Sequence, residues 1–258
     1  AYVDGNAVFA MEGNASLTAA YGPFLSRGAT FDISGNAKVE AAYFAIDGNN
    51  TKGTMTINIA DNAQISSLFD VAIYMPNVGT INMTGGTIEG NWAGIHAKMG
   101  TIDISGGTVR ATGEKHIVDI NGSNTGNGEG GVAGGTSKDG SAIVLHSDMY
   151  TANPDVGNDY TAETSTDLTL RVSGAAVLES ENWNAISYYK WNKNEQNVSL
   201  DGGNYDVVGV ISYNGTCDGN DADAVSQIQE FLANGDIDKV YYHGNSLPVL
   251  SEGETAYN

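Results

Sequence analysis

Cysteine is almost missing from this chain. Cys217 stands alone in 258 residues, so no internal disulfide can form. A lone cysteine suits an exported bacterial protein as well as a cytosolic one. Basic residues are scarce too: 11 Lys and Arg face 31 Asp and Glu, a formal net charge of −20. Such a surface repels phosphate backbones and anionic lipid, which makes nucleic acid and membrane surfaces poor partners, and no nucleic acid is expected. It also argues against anionic polysaccharide unless cations bridge. No stretch approaches the roughly 18 apolar residues of a membrane span, so membrane insertion is not expected. No charged-then-apolar leader precedes Ala1, and a start without Met suggests a processed or excised fragment.

What the chain does have is repetition. Thr101-Ile102-Asp103-Ile104-Ser105-Gly106-Gly107-Thr108-Val109 varies the unit Thr80-Ile81-Asn82-Met83-Thr84-Gly85-Gly86-Thr87-Ile88. Seven units align on Met11, Ile33, Ile59, Met83, Ile104, Val172 and Leu200. The residue two places earlier is Phe9, Phe31, Ile57, Ile81, Ile102, Leu170 or Val198, apolar in every unit. Between them lies Ala10, Asp32, Asn58, Asn82, Asp103, Arg171 or Ser199. This period of two is a half-buried strand, and the glycine two places after most anchors marks a tight bend.

The anchors are 22, 26, 24, 21, 68 and 28 residues apart, a solenoid spacing. A third strand is expected at Ala45-Ile46, Ala72-Ile73, Gly94-Ile95, Ala185-Ile186 and Val210-Ile211. Between it and the anchor lies a further apolar residue: Leu17, Val39, Ile65, Ile88, Val109, Val177 or Tyr205. Three short strands per turn without an intervening helix leave one good solution, a parallel β-helix. With strands about 4.8 Å apart, seven turns make a rod on the order of 30 Å long.

The Gly-Gly bends after Met83 and Ile104 are one residue shorter than the Gly-Asn-Ala bends. The 68-residue gap reads either as one turn carrying two insertions, at about 112–140 and 149–167, or as two turns with irregular edges, and the first reading is preferred. Ser141-Ala142-Ile143-Val144-Leu145-His146 supplies that turn's later strand. Past Leu200 the pattern dissolves. Asp221 can cap a helix over Ala222 to Ala233, ended by Asn234-Gly235, with Val225, Ile228, Phe231 and Leu232 on one face. This helix and Lys239-Val240-Tyr241-Tyr242 are expected to cover the last turn. The expectation is thus an all-β single domain: a β-helix over 1–215 with about seven or more turns, and a cap over 216–258.

Over roughly residues 8–215 the units resemble the right-handed parallel β-helix superfamily shared by pectate-lyase-like enzymes and many bacterial surface proteins. The Ile-Ser-Gly-Gly-Thr units look most like adhesin-like repeat proteins of gut bacteria. The resemblance implies a secreted or cell-surface bacterial module that binds polysaccharide or a surface glycoprotein. Its other implication is a polysaccharide lyase or glycoside hydrolase, whose pectate-lyase-like members set acidic calcium ligands and a basic catalytic residue on one outward ladder. Here that column, Asp32, Asn58, Asn82, Asp103 and Arg171, reads instead as an amide ladder bonded along the stack.

No catalytic residue is assigned from sequence. Paired carboxylates for glycosidase chemistry would stand about 5–9.5 Å apart. Glu89 and Glu179 occupy corresponding places, but Arg110 falls between them, as in a surface ion pair. Asp218, Asp221 and Asp223 are weak candidates for calcium, because Ala222 stands where a ligand is needed. No cofactor is expected otherwise. His96, His116, His146 and His243 are scattered, and Cys217 has no histidine nearby in sequence.

Aromatic residues give the stronger lead. Asn91-Trp92-Ala93-Gly94-Ile95 and Asn182-Trp183-Asn184-Ala185-Ile186 place Trp at the same point of two turns, and Tyr188, Tyr189 and Trp191 follow the second. Exposed rings of this kind stack on sugars. The alternative is that they pack a corner. A further array, Thr30, Thr56, Thr80, Thr101 and Thr169, stands beside the Asn/Asp column and could match a periodic ligand, although β-propensity alone accounts for Thr there.

Overall fold

A computed structural model describes residues 1–48, 54–76, 78–97, 100–113, 140–147, 168–180, 186–190, 198–201, 211–213, 240–242 and 256–257. They form an all-β parallel solenoid, and every strand pair within it is parallel. Each turn contributes a strand to three ladders. The first holds Val8–Met11, Thr30–Ile33, Met55–Ile59 and Gly79–Met83, and the second holds Ser16–Ala19, Lys38–Ala41, Gln64–Ser67 and Thr87–Gly90. The third holds Phe24–Leu25, Ile46–Gly48, Val71–Met75 and Ala93–Ala97. Two long strands, Gly100–Ala111 and Leu168–Ser180, run through the first and second ladders without a break.

The register is the alignment read from sequence. Ile33, Ile59, Met83, Ile104 and Val172 pair in succession, as do Phe31, Ile57, Ile81, Ile102 and Leu170. Each of these residues is at most 1% exposed, so both columns face the interior. The third ladder adds Ile46, Ile73, Ile95, Ile143 and Ile186, also stacked in register and buried. Burying one such side chain favours folding by about 1.5–3 kcal/mol, and each turn supplies several.

Ile104 pairs directly with Val172, so the long gap between them is a single turn. Ser141–Ser147 is its third strand, between Ala93–Ala97 and Ile186–Lys190. Gly113 and Gly140 flank residues 114–139. Their N–H groups donate to the consecutive carbonyls of Asn91 and Trp92, at 2.8 and 2.7 Å. The helix expected at 222–233 lies outside the described residues. Val240–Tyr242 extends the third ladder beyond Ile211–Tyr213, and Ala256–Tyr257 follows it.

Two kinds of corner join the first and second ladders. In the longer kind the left-handed residue is Gly13, Gly35, Asp61 or Gly174, two places after the anchor. In the shorter kind it is Gly86 or Gly107, one place further along. A Cβ on Gly86 would come 2.5 Å from the Ala63 carbonyl oxygen, so only glycine fits. Asp61 holds the same conformation without being glycine, and its carboxylate accepts a 2.9 Å bond from the Gly35 N–H one turn below. The longer corner at Gly174 also corrects one assignment. Leu178, 1% exposed and paired with Val109, is the inward residue of that turn, and Val177 is half-buried opposite Thr108.

Candidate functional site

The outward face of the first ladder is a built ladder of amides. Asn82 Nδ2 donates to Asn58 Oδ1 at 2.8 Å, and Asn58 Nδ2 donates to Asp32 Oδ1 at 2.7 Å. A second ladder climbs the longer corners, with Asn62 donating to Asn36 at 3.3 Å and Asn36 to Asn14 at 3.2 Å. Thr30, Thr56, Thr80, Thr101 and Thr169 stack beside the first ladder, all half-exposed. These amides are spent on one another, so this face is stabilised rather than poised for calcium. Among the described residues no group of three or more acidic, histidine or cysteine side chains could hold a metal. Asp218, Asp221 and Asp223 lie outside the described residues, as do His116, His243 and Cys217.

The outward face of the third ladder differs. Val71–Met75 and Ala93–Ala97 are buried at every position. Val71, Ala93 and Val144 form a separate apolar cluster outside the coil, against which Phe44 and Trp92 pack. In the same ladder Phe24, Asp47, Tyr74 and His96 follow one another in register. Tyr74 stacks on Phe44 at 5.6 Å between centroids and meets the edge of His96 at 5.4 Å. Asp47 is half-buried; desolvation first, and then the charge of Asp70, push its carboxyl up to about 7.

Among the described residues, room for a ligand lies where the second ladder turns into the third. Small residues precede an aromatic one at this corner: Ala41-Ala42-Tyr43 repeats Ala19-Ala20-Tyr21, and Ser67-Leu68-Phe69 follows. Backbone bonding continues through the bend. Tyr43 N–H donates to Ala20 O and Phe69 N–H to Ala42 O, both at 2.9 Å, so one aromatic ring is delivered per turn. Tyr21 and Tyr43 stack at 5.0 Å with 21° between planes, and Phe69 tilts on Tyr43 at 6.3 Å. Tyr21, Tyr43, Leu68 and Phe69 are 58%, 42%, 63% and 54% exposed, a contiguous apolar ridge.

Beside the ridge runs an open groove of about 510 Å³. Its floor is small and apolar, made by Ala19, Ala41 and Ala42, and Leu68 of the ridge borders it. Thr18, Glu40, Ser66 and Glu89 form one wall, each directly above the last in the stack, and Asn91 and Thr112 close the far end. The groove therefore runs along the coil axis. From Thr18 to Thr112 it crosses five levels, about 19 Å at one strand spacing per level.

Its charged groups are partly engaged. Thr18 Oγ1 donates to Glu40 Oε2 at 3.4 Å. Arg110, directly above Glu89, sits 3.5 Å from it and 4.0 Å from Glu179, so the ion pair read from sequence extends to a third member. Arg27 forms a bidentate pair with Asp4 away from the groove, and holds that carboxyl down to about 2.

Of the aromatic candidates, Trp92 is half-buried and packs against Val71, Ala93 and Val144. Trp183 and Trp191 lie outside the described residues. Tyr188 and Tyr189 fall in Ile186–Lys190, opposite Leu145 and His146. The ridge of Tyr21, Tyr43 and Phe69 escaped the sequence reading because it occupies a bend, where neither a period of two nor a glycine marks it. The repeated Ala-Ala-Tyr was its one signal. Comparison with family profiles, with curated proteins and with solved structures gives no match for this chain.

Proposed function

We propose that this chain is a non-catalytic β-helix module of a secreted or cell-surface protein, adhesin-like, that binds a glycan lying along its groove. The observation that carries this reading is the groove itself: hydroxyl and carboxylate groups alternate level by level along one wall, Thr18, Glu40, Ser66 and Glu89, above a floor of alanines. A polysaccharide chain is the ligand whose hydroxyls recur along a line and whose ring faces tolerate an apolar floor. Tyr21 and Tyr43 cover one face of each other by stacking, which makes them a border for the sugar rather than a platform.

The rival reading is a polysaccharide-degrading enzyme. Glu40 and Glu89 both line the groove two strands apart, roughly 9.6 Å by strand spacing, close to the separation used by inverting glycosidases. Against it, the Arg110 guanidinium lies 3.5 Å from Glu89 and ties one of the two carboxylates to a cation. A glycan array joined to reducing-sugar and unsaturated-product assays separates the readings. Binding without turnover, lost on Leu68→Arg with the fold intact by circular dichroism, is the expected outcome. Turnover abolished by Glu40→Gln or Glu89→Gln would establish the enzyme instead. If Trp183→Ala removes binding and Leu68→Arg does not, the ligand sits elsewhere on the coil.

A further inference from the structure

The groove's charge narrows what it takes. Among its lining residues none is basic, and two are glutamates. Glu40 is exposed, with a single weak hydroxyl bond from Thr18 at 3.4 Å. Glu89 shares the Arg110 guanidinium with Glu179, one cation between two carboxylates. The wall is therefore left with surplus negative charge, in a chain whose formal net charge is already −20. A neutral sugar chain settling there would strip water from these carboxylates and return only hydroxyl contacts. A uronate or sulfated chain would be repelled outright.

A chain bearing protonated amines meets both conditions. Glu40 and Glu89 are separated by Ser66 in one column, two strand spacings or roughly 9.6 Å apart. An extended β-1,4-linked chain alternates the orientation of successive sugars, so like substituents return to one side at every second residue. One amine can then face each glutamate while the intervening sugar faces the Ser66 hydroxyl. Resting on the glycan reading above, we infer that the groove selects a β-1,4-linked amino sugar chain whose amines are free and charged.

The test is calorimetric titration of the full chain at about pH 6, where the sugar amines are largely protonated. The probes are a glucosamine hexamer, its fully N-acetylated counterpart, a galacturonate hexamer and spermine, each at low and high salt. The glucosamine hexamer is expected to bind tightest and to weaken with salt. Glu40→Gln and Glu89→Gln should each cost up to about fivefold in affinity, the range of an exposed charge pair. Equal binding of the acetylated hexamer, unmoved by either substitution, overturns this inference and leaves the glycan reading standing. Spermine binding in preference to every sugar overturns it in favour of a simple polyamine site. No sugar binding at all overturns both.

Discussion

The first and third ladders share an interior and differ outside. Inside, both present stacked isoleucines that are all but fully buried. Outside, the first shows half-exposed amides bonded to one another along the stack, while the third buries Val71, Tyr74, Ala93 and His96. The repeat thus fixes only the inward half of each strand. The outward half is free to become either a polar surface or a second packed layer, and the same fold carries both at once.

The contrast can be tested by substituting outward residues of the two ladders. Tyr74→Ala should have the largest effect, about 3 kcal/mol in chemical denaturation, because it empties a packed position 7% exposed and stacked on Phe44. A loss below about 1 kcal/mol would mean that the third ladder's outer layer is mere cover. Asp47→Asn comes next and acts through pH. The folded protein holds this proton up to about 7, whereas an unfolded carboxyl releases it near 3.8. Its contribution is therefore full below the lower value, falls as pH rises through that window, and is level above it. The variant should gain on the parent protein between about pH 4 and pH 8, read as the difference in denaturation midpoints.

On the first ladder, Asn82→Ala should cost about 1 kcal/mol, the net worth of a hydrogen bond, and its double-mutant cycle with Asn58→Ala should show coupling. Additive losses would mean that the amides act singly. The smallest effect belongs to Asp4→Asn at the exposed corner pair. There the depressed carboxyl adds stability above its ordinary value, which is lost as pH falls toward about 2. Salt should erase the difference between variant and parent.

The interior was legible in the sequence because a coil with equal turns repeats its inward positions at fixed offsets. Phe31, Ile57, Ile81 and Ile102 could be aligned before any fold was known, and the pairing is as aligned. The Asp32–Asn58–Asn82 ladder followed from the same offsets. Leu178 was missed because its corner takes the longer form, and one added residue exchanges the inward and outward sides. The groove was not legible. Its floor is alanine, which carries no chemical signature, and its wall mixes Thr, Glu and Ser, recognisable as one column only after stacking. Asp47 likewise reads as an ordinary surface aspartate until Phe24, Tyr74 and Asp70 are placed around it.

The paired anchoring of Gly113 and Gly140 onto neighbouring carbonyls has a practical corollary. A segment whose two ends are fastened side by side can be lengthened, shortened or exchanged while the coil keeps its geometry, since closure entropy grows only slowly with length. Thr112, at the mouth of that segment, also closes one end of the groove. A foreign peptide exchanged for residues 114–139 should therefore be carried without loss of the scaffold.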